Sequence, residues 1–97
     1  MDFLPQMSPV ELLETTHEFP CSYEFKAIGS TENFFVERVV ASVRQELQLE
    51  FDPPHHLRTT PAGRHVSVTV QATVATPQEV IAVYTRLRQT DGLVMLL

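Results

Sequence analysis

Tryptophan is absent from the sequence, and cysteine and lysine occur once each, as Cys21 and Lys26. A single cysteine excludes an intrachain disulfide and a cysteine-based zinc site. His55 and His56 are the only adjacent ligand pair; consecutive residues of a strand point to opposite faces, so no metal site is expected from them. Glycine is scarce too: with Gly29, Gly63 and Gly92 alone, no glycine-rich phosphate loop can be built. No apolar run is longer than the five residues of Leu93 to Leu97, far short of a membrane span. The first ten residues, MDFLPQMSPV, carry no basic region followed by a long apolar stretch, so a cytoplasmic location is expected.

Basic charge is the other shortage. Seven Lys and Arg face twelve Asp and Glu, for a net charge of −5. The imbalance is concentrated in residues 1–18, where Asp2, Glu11, Glu14 and Glu18 meet no base. Proteins that bind nucleic acid draw most of their affinity from neutralised phosphates and show a basic footprint. This chain is therefore a poor nucleic-acid binder on charge.

What is present is a globular composition, 43% hydrophobic and 20% charged, in 97 residues that fit one domain. Ser8-Pro9-Val10-Glu11 is a capping box with proline at the first helical position, so a short helix is expected within the acidic segment. Residues 21–28, CSYEFKAI, alternate, with Cys21, Tyr23, Phe25 and Ala27 on one face. That is the pattern of a half-buried strand, and Gly29 is expected to end it and turn the chain. From Glu32 to about Leu47 the period becomes helical, with Val36, Val39, Val40, Val43 and Leu47 in one stripe. Phe35 lies at the rim of that stripe. Phe34 projects almost opposite it and is a candidate partner contact.

Pro53-Pro54 marks a loop. A short edge strand is expected over His56 to Thr60, then a turn at Pro61-Ala62-Gly63. Residues 64–74, RHVSVTVQATV, alternate cleanly, with Val66, Val68, Val70, Ala72 and Val74 facing in. Thr76-Pro77-Gln78-Glu79 caps a second helix striped by Val80, Val83, Tyr84 and Leu87, and Gly92 follows its end. Leu93 to Leu97 is a last strand, apolar on both faces.

The order βαββαβ predicts an α+β ferredoxin-like sandwich over residues 19–97, with residues 1–18 as an acidic appendage. Two helices cover one face of a four-stranded antiparallel sheet. Right-handed crossovers give the spatial strand order 4-1-3-2, strands numbered along the chain.

Fold alone does not assign function. An RNA-binding module of this fold needs aromatics on the open faces of its first and third strands. Here those faces are Ser22, Glu24, Lys26 and Ile28, and Ser67, Thr69, Gln71 and Thr73. RNA binding is the alternative reading and lacks its stacking residues. A phosphoryl or acyl-phosphate hydrolase needs an arginine in the loop after the first strand; the nearest, Arg38, falls mid-helix and is expected to face water. Cys21 reads as a small core residue, and Ser67 with His65 lacks an orienting carboxylate. No catalytic set and no cofactor are expected.

Phe19-Pro20-Cys21, Tyr23, Phe25-Lys26 and Ile28-Gly29 form a recognisable series. It continues with Gly63-Arg64, Val66-Ser67-Val68-Thr69-Val70, Tyr84, Leu87 and the run Val94-Met95-Leu96-Leu97. Over roughly residues 18–97 this pattern resembles the YbeD-like family of small bacterial proteins of unknown function. The resemblance implies the ferredoxin-like fold, kinship with regulatory ACT domains that bind amino acids, and a link to lipoate metabolism. It implies no established catalytic residue. ACT domains commonly hold their ligand near the loop after the first strand, often at a dimer interface. Carried onto this chain, that loop is Gly29, Ser30 and Thr31, with Lys26 nearby on the open face and Phe34 just beyond.

These features define the expectation: a non-enzymatic regulatory or adaptor domain. A small carboxylate ligand or a partner protein is expected at Lys26, Gly29, Ser30, Thr31 and Phe34. A homodimer or a partner protein is expected at the edge Leu93–Leu97, because an uncovered apolar edge invites pairing.

Overall fold

Two periodicities, two and 3.6 residues, shape the chain. In the computed structural model, which describes residues 7–97, they resolve into seven elements. These are α1 (Pro9–Thr16), β1 (Cys21–Ser30), α2 (Phe35–Glu46), β2 (His55–Thr59), β3 (His65–Val74), α3 (Pro77–Leu87) and β4 (Leu93–Leu96). Asp2, part of the acidic segment, lies outside the described residues.

The four strands form one antiparallel sheet in the order β2-β3-β1-β4, which is the predicted 4-1-3-2 read from the other edge. β1 and β3 pair along their whole length, from Cys21 opposite Val74 to Ser30 opposite His65. The inward faces are the predicted ones: Phe25, Ala27, Val66, Val68, Val70, Ala72 and Val74 are all buried. Against them pack Phe35, Val39, Val40 and Val43 of α2 and Val80, Val83 and Leu87 of α3. Each such side chain contributes about 1.5–3 kcal/mol when taken from water. Arg86 ties the two helices together, its Nε donating to Glu46 at 3.0 Å and its Nη1 to Gln45 at 3.0 Å.

The expected capping box is formed: Glu11 N–H donates to Ser8 Oγ at 3.1 Å, and Ser8 N–H donates to the Glu11 carboxylate at 3.0 Å. α1 rests on α3, with Leu13 packed against the edge of the core.

Three local expectations are corrected. Gly29 does not end the first strand; it lies inside β1, buried, at a register shift against β4 between Ile28 and Gly29. The reason is non-local. The Phe35 ring lies on its Cα, where a Cβ would stand 2.6 Å from Cε2. α2 starts at Phe35, not Glu32, because Asn33 and Phe34 adopt left-handed φ values of 58° and 57°. That start rotates the buried stripe: Phe35 moves from its rim into the core, 1% exposed, while Val36 is only half-buried. Arg38 does not face water freely; its Nη2 donates to the Asp91 carbonyl at 3.2 Å, joining α2 to the turn before β4.

Candidate functional site

The antiparallel pairing of β1 with β3 sets the end of one strand beside the start of the other. Ser30 stands opposite His65, and the hairpin turn after Thr60 folds over the loop that leaves β1. Thr31 fastens the two. Its N–H donates to the Arg64 carbonyl at 3.2 Å and its hydroxyl to the Gly63 carbonyl at 2.8 Å. Between them is a hollow of about 400 Å³ lined by Ser30, Thr31, Glu32, Gly63, Arg64 and His65.

The backbone donors of Ser30, Thr31 and Glu32 are already engaged. Ser30 N–H donates to the Gly92 carbonyl at 3.0 Å, and Glu32 N–H to Ser30 Oγ at 3.0 Å. The three loop residues that line the hollow thus offer no cradle of free amides. The ionisable side chains that line the hollow are a guanidinium, an imidazole and a carboxylate. Among the described residues Arg64 has no carboxylate within salt-bridge distance, whereas Arg38, Arg44 and Arg86 are paired with Asp91, Asp52 and Glu46.

Of the residues singled out by sequence, Ser30 and Thr31 come together in the hollow. Gly29 faces the core beneath Phe35. Lys26 shares the open sheet face with Ser30 but sits four residues back along β1, about 13 Å away at the rise of a strand. Phe34 is 75% exposed at the N-cap of α2 and is not part of the lining. Arg64 and His65 were missed as site residues. Their signal was available: the predicted strand order puts the start of the third strand against the end of the first.

A larger hollow, about 470 Å³, lies between the loop 49–54 and the far end of the sheet. Its charged lining is Glu50 and Asp52, the latter already paired with Arg44, so it offers a carboxylate no free cation. His55 and His56 sit in β2 opposite Val70 and Thr69, on opposite faces, and His55 Nδ1–H donates to the Pro53 carbonyl at 2.9 Å. Among the described residues no group of three or more His, Cys, Asp or Glu could hold a metal ion. No helix there is long and apolar enough to cross a membrane.

At the sheet's other margin, β4 pairs only with β1. Val94, Met95 and Leu97 are exposed, while Leu93 and Leu96 turn inward onto the core. Tyr84 holds the end of this strand, its hydroxyl donating to the Leu97 carbonyl at 3.1 Å. Burial, reinforced by the Tyr23 hydroxyl, pushes the Tyr84 hydroxyl above its ordinary value, so it remains a donor.

Sheet, crossovers and layers define an α+β protein of the ferredoxin-like class. Residues 14–97 match the family described as a protein of unknown function, DUF493, and the chain belongs to that family. The match begins at Glu14, inside α1. The chain is 33% identical over 75 residues to a UPF0250 protein of Shewanella amazonensis, across 77% of this chain and 83% of that one. It is 31% identical, with the same coverage, to a UPF0250 protein of Shewanella oneidensis. These are the small bacterial proteins of the YbeD-like family that the sequence motifs resemble. Among solved structures, the solution structure of protein HP0495 from H. pylori superposes with a TM-score of 0.60 over 84% of this chain and 85% of that one. At 19% identity that likeness concerns the fold alone.

Proposed function

We propose that the protein is a non-enzymatic regulatory domain that binds a small carboxylate ligand of amino-acid type in the hollow between the β1–α2 loop and the β2–β3 turn. The observation that carries this reading is the meeting of Arg64 with Ser30 and Thr31 across that hollow. A guanidinium presents a planar fork that matches a carboxylate with two parallel hydrogen bonds. Glu32 lines the same hollow with the opposite charge, a partner for an ammonium group. A zwitterion satisfies both; a simple fatty acid satisfies one. The free edge of β4 gives a second copy or another protein a strand to pair with, the route by which a bound ligand would be reported.

A thermal-shift panel of amino acids, octanoate and lipoate tests it. A ligand that binds only the folded state at a hundred times its Kd stabilises by about 2.7 kcal/mol. At least one amino acid is expected to raise the melting temperature. Arg64→Ala is expected to weaken that ligand roughly ten- to a hundredfold, the worth of one charge-assisted hydrogen bond. A flat panel, or a ligand indifferent to Arg64→Ala, sinks the proposal.

A further inference from the structure

The open face of the sheet carries a charge pattern opposite to that of the whole chain. The residues that alternate away from the core are Ser22, Glu24, Lys26 and Ile28 on β1, their partners Ser67, Thr69, Gln71 and Thr73 on β3, and His56 and Arg58 on β2. One of the chain's twelve acids, Glu24, is among them, against two cations, Lys26 and Arg58. Neither cation has a carboxylate partner within 4.0 Å among the described residues. The remaining described acids stand on α1, the helices and the loops.

The face also has an apolar seat. Ile28 stands opposite Ser67, and Ser67 opposite Arg58, so one row crosses three strands. A depression of about 240 Å³ opens along that row, with Ile28 at one side and Arg58 and Pro61 at the other. Next to Ile28 lies Met95, its partner on β4, which is 49% exposed.

We infer that this face docks an acidic, extended segment of a partner protein: two carboxylates take Lys26 and Arg58, and an aliphatic side chain between them fills the depression. The geometry fits such a segment. Lys26 and Arg58 are two strands and two residues apart, about 12 Å at the ordinary spacings of a sheet. Acids four residues apart on an extended chain are about 13 Å apart and point the same way, as does the residue midway between them. A second copy is a poor occupant, because stacking two such faces sets like charges together. Single-stranded RNA is a poorer one, because no Phe, Tyr or Trp stands on the face and His56 is the one ring named there that could stack a base. The depression and the carboxylate hollow share no lining residue, so this docking is independent of the proposed ligand.

The test titrates the full chain with a blocked peptide of pattern Glu-Ser-Leu-Ser-Glu, followed by amide NMR. Controls are the same peptide with Lys for Glu and a single-stranded oligouridine. Expected are shifts at Lys26, Ile28, Arg58 and Ser67 with the acidic peptide and none with the Lys peptide. Charge reversal by Lys26→Glu with Arg58→Glu should weaken binding at least tenfold. The milder pair Lys26→Gln with Arg58→Gln should weaken it in the same direction, should the first fail to fold. Arg64→Ala should leave it unchanged, whatever that variant does to the carboxylate ligand. Absence of shifts on this face at millimolar peptide, equal binding by the charge-reversed chain, or tighter binding of oligouridine on the same residues would each overturn the inference.

Discussion

Replacing Gly29 with alanine isolates the contact that decides the local fold. A Cβ there would stand 2.6 Å from Phe35 Cε2, whereas unstrained carbons sit about 3.5–4.0 Å apart. Cζ and Cε1 lie closer still, so the ring would have to withdraw by roughly 1–2 Å. It has little room, being 1% exposed and flanked on another side by Gly92, where a Cβ would stand 3.6 Å from Phe35 Cδ1. Forcing an extra carbon into a close-packed core costs about 1–3 kcal/mol. Against that, alanine loses less freedom on folding than glycine, a gain of about 0.4–1 kcal/mol. The backbone at Gly29 is ordinary, so no left-handed conformation adds to the cost. The net loss is about 1–2 kcal/mol, or roughly 4–16 °C in melting temperature for a domain of this size.

Urea unfolding followed by circular dichroism measures the loss. The decisive comparison repeats Gly29→Ala in a Phe35→Leu background. With the ring gone, the clash disappears and alanine becomes neutral or stabilising, so the two substitutions couple by 1 kcal/mol or more. Equal penalties in both backgrounds would refute the packing account and return Gly29 to the ligand site.

Two further substitutions probe the ends of the helices. Phe34→Gly is expected to raise stability by about 0.5–1 kcal/mol, because it relieves a left-handed residue costing about 1–2 kcal/mol and removes little packing; a loss above 1 kcal/mol in urea unfolding would mean that the Phe34 ring is held by something. In α1, the Ser8 N–H and then the Ser8 hydroxyl hold the Glu11 carboxyl below its ordinary 4.5, so the box stabilises the helix above pH 4.5 and loses that contribution as pH falls through the lowered value. Amide protection factors of residues 9–16 should fall over that acid range while those of β3 hold, and Glu11→Gln, which cannot titrate, should abolish the pH dependence; an unchanged profile in Glu11→Gln would sink this account.

The strand order was legible because alternation on β1 and β3 is unbroken and the crossovers leave one right-handed solution. The core was legible for the same reason, except at residues 33–36. A 3.6-residue period extrapolated backwards cannot see two left-handed residues, since their effect is to restart the phase. Gly29 was misread because glycine after an alternating run signals a turn, whereas here glycine answers a ring six residues later. Half of the candidate hollow was legible from the loop after β1. The other half, Arg64 and His65, comes from a hairpin whose position follows from register, not from any local motif.

Gly29, Phe34 and Phe35 are therefore best understood as one arrangement. Two adjacent phenylalanines cannot both face the core at the start of a helix. The left-handed pair Asn33–Phe34 settles which one does, dropping Phe35 onto Gly29 and leaving Phe34 in water. Asn tolerates that conformation readily, so the strain falls mainly on Phe34, at about 1–2 kcal/mol. Burying Phe35 returns about 1.5–3 kcal/mol, enough to hold the turn in place. Between these residues lie Ser30 and Thr31, whose N–H groups are tied to Gly92 and Arg64. The packing that demands a glycine in β1 thus also sets the wall of the hollow. The proposed ligand residues and the fold residues alternate along one short stretch, and their separation by function requires variants that change one set while the other keeps its bonds.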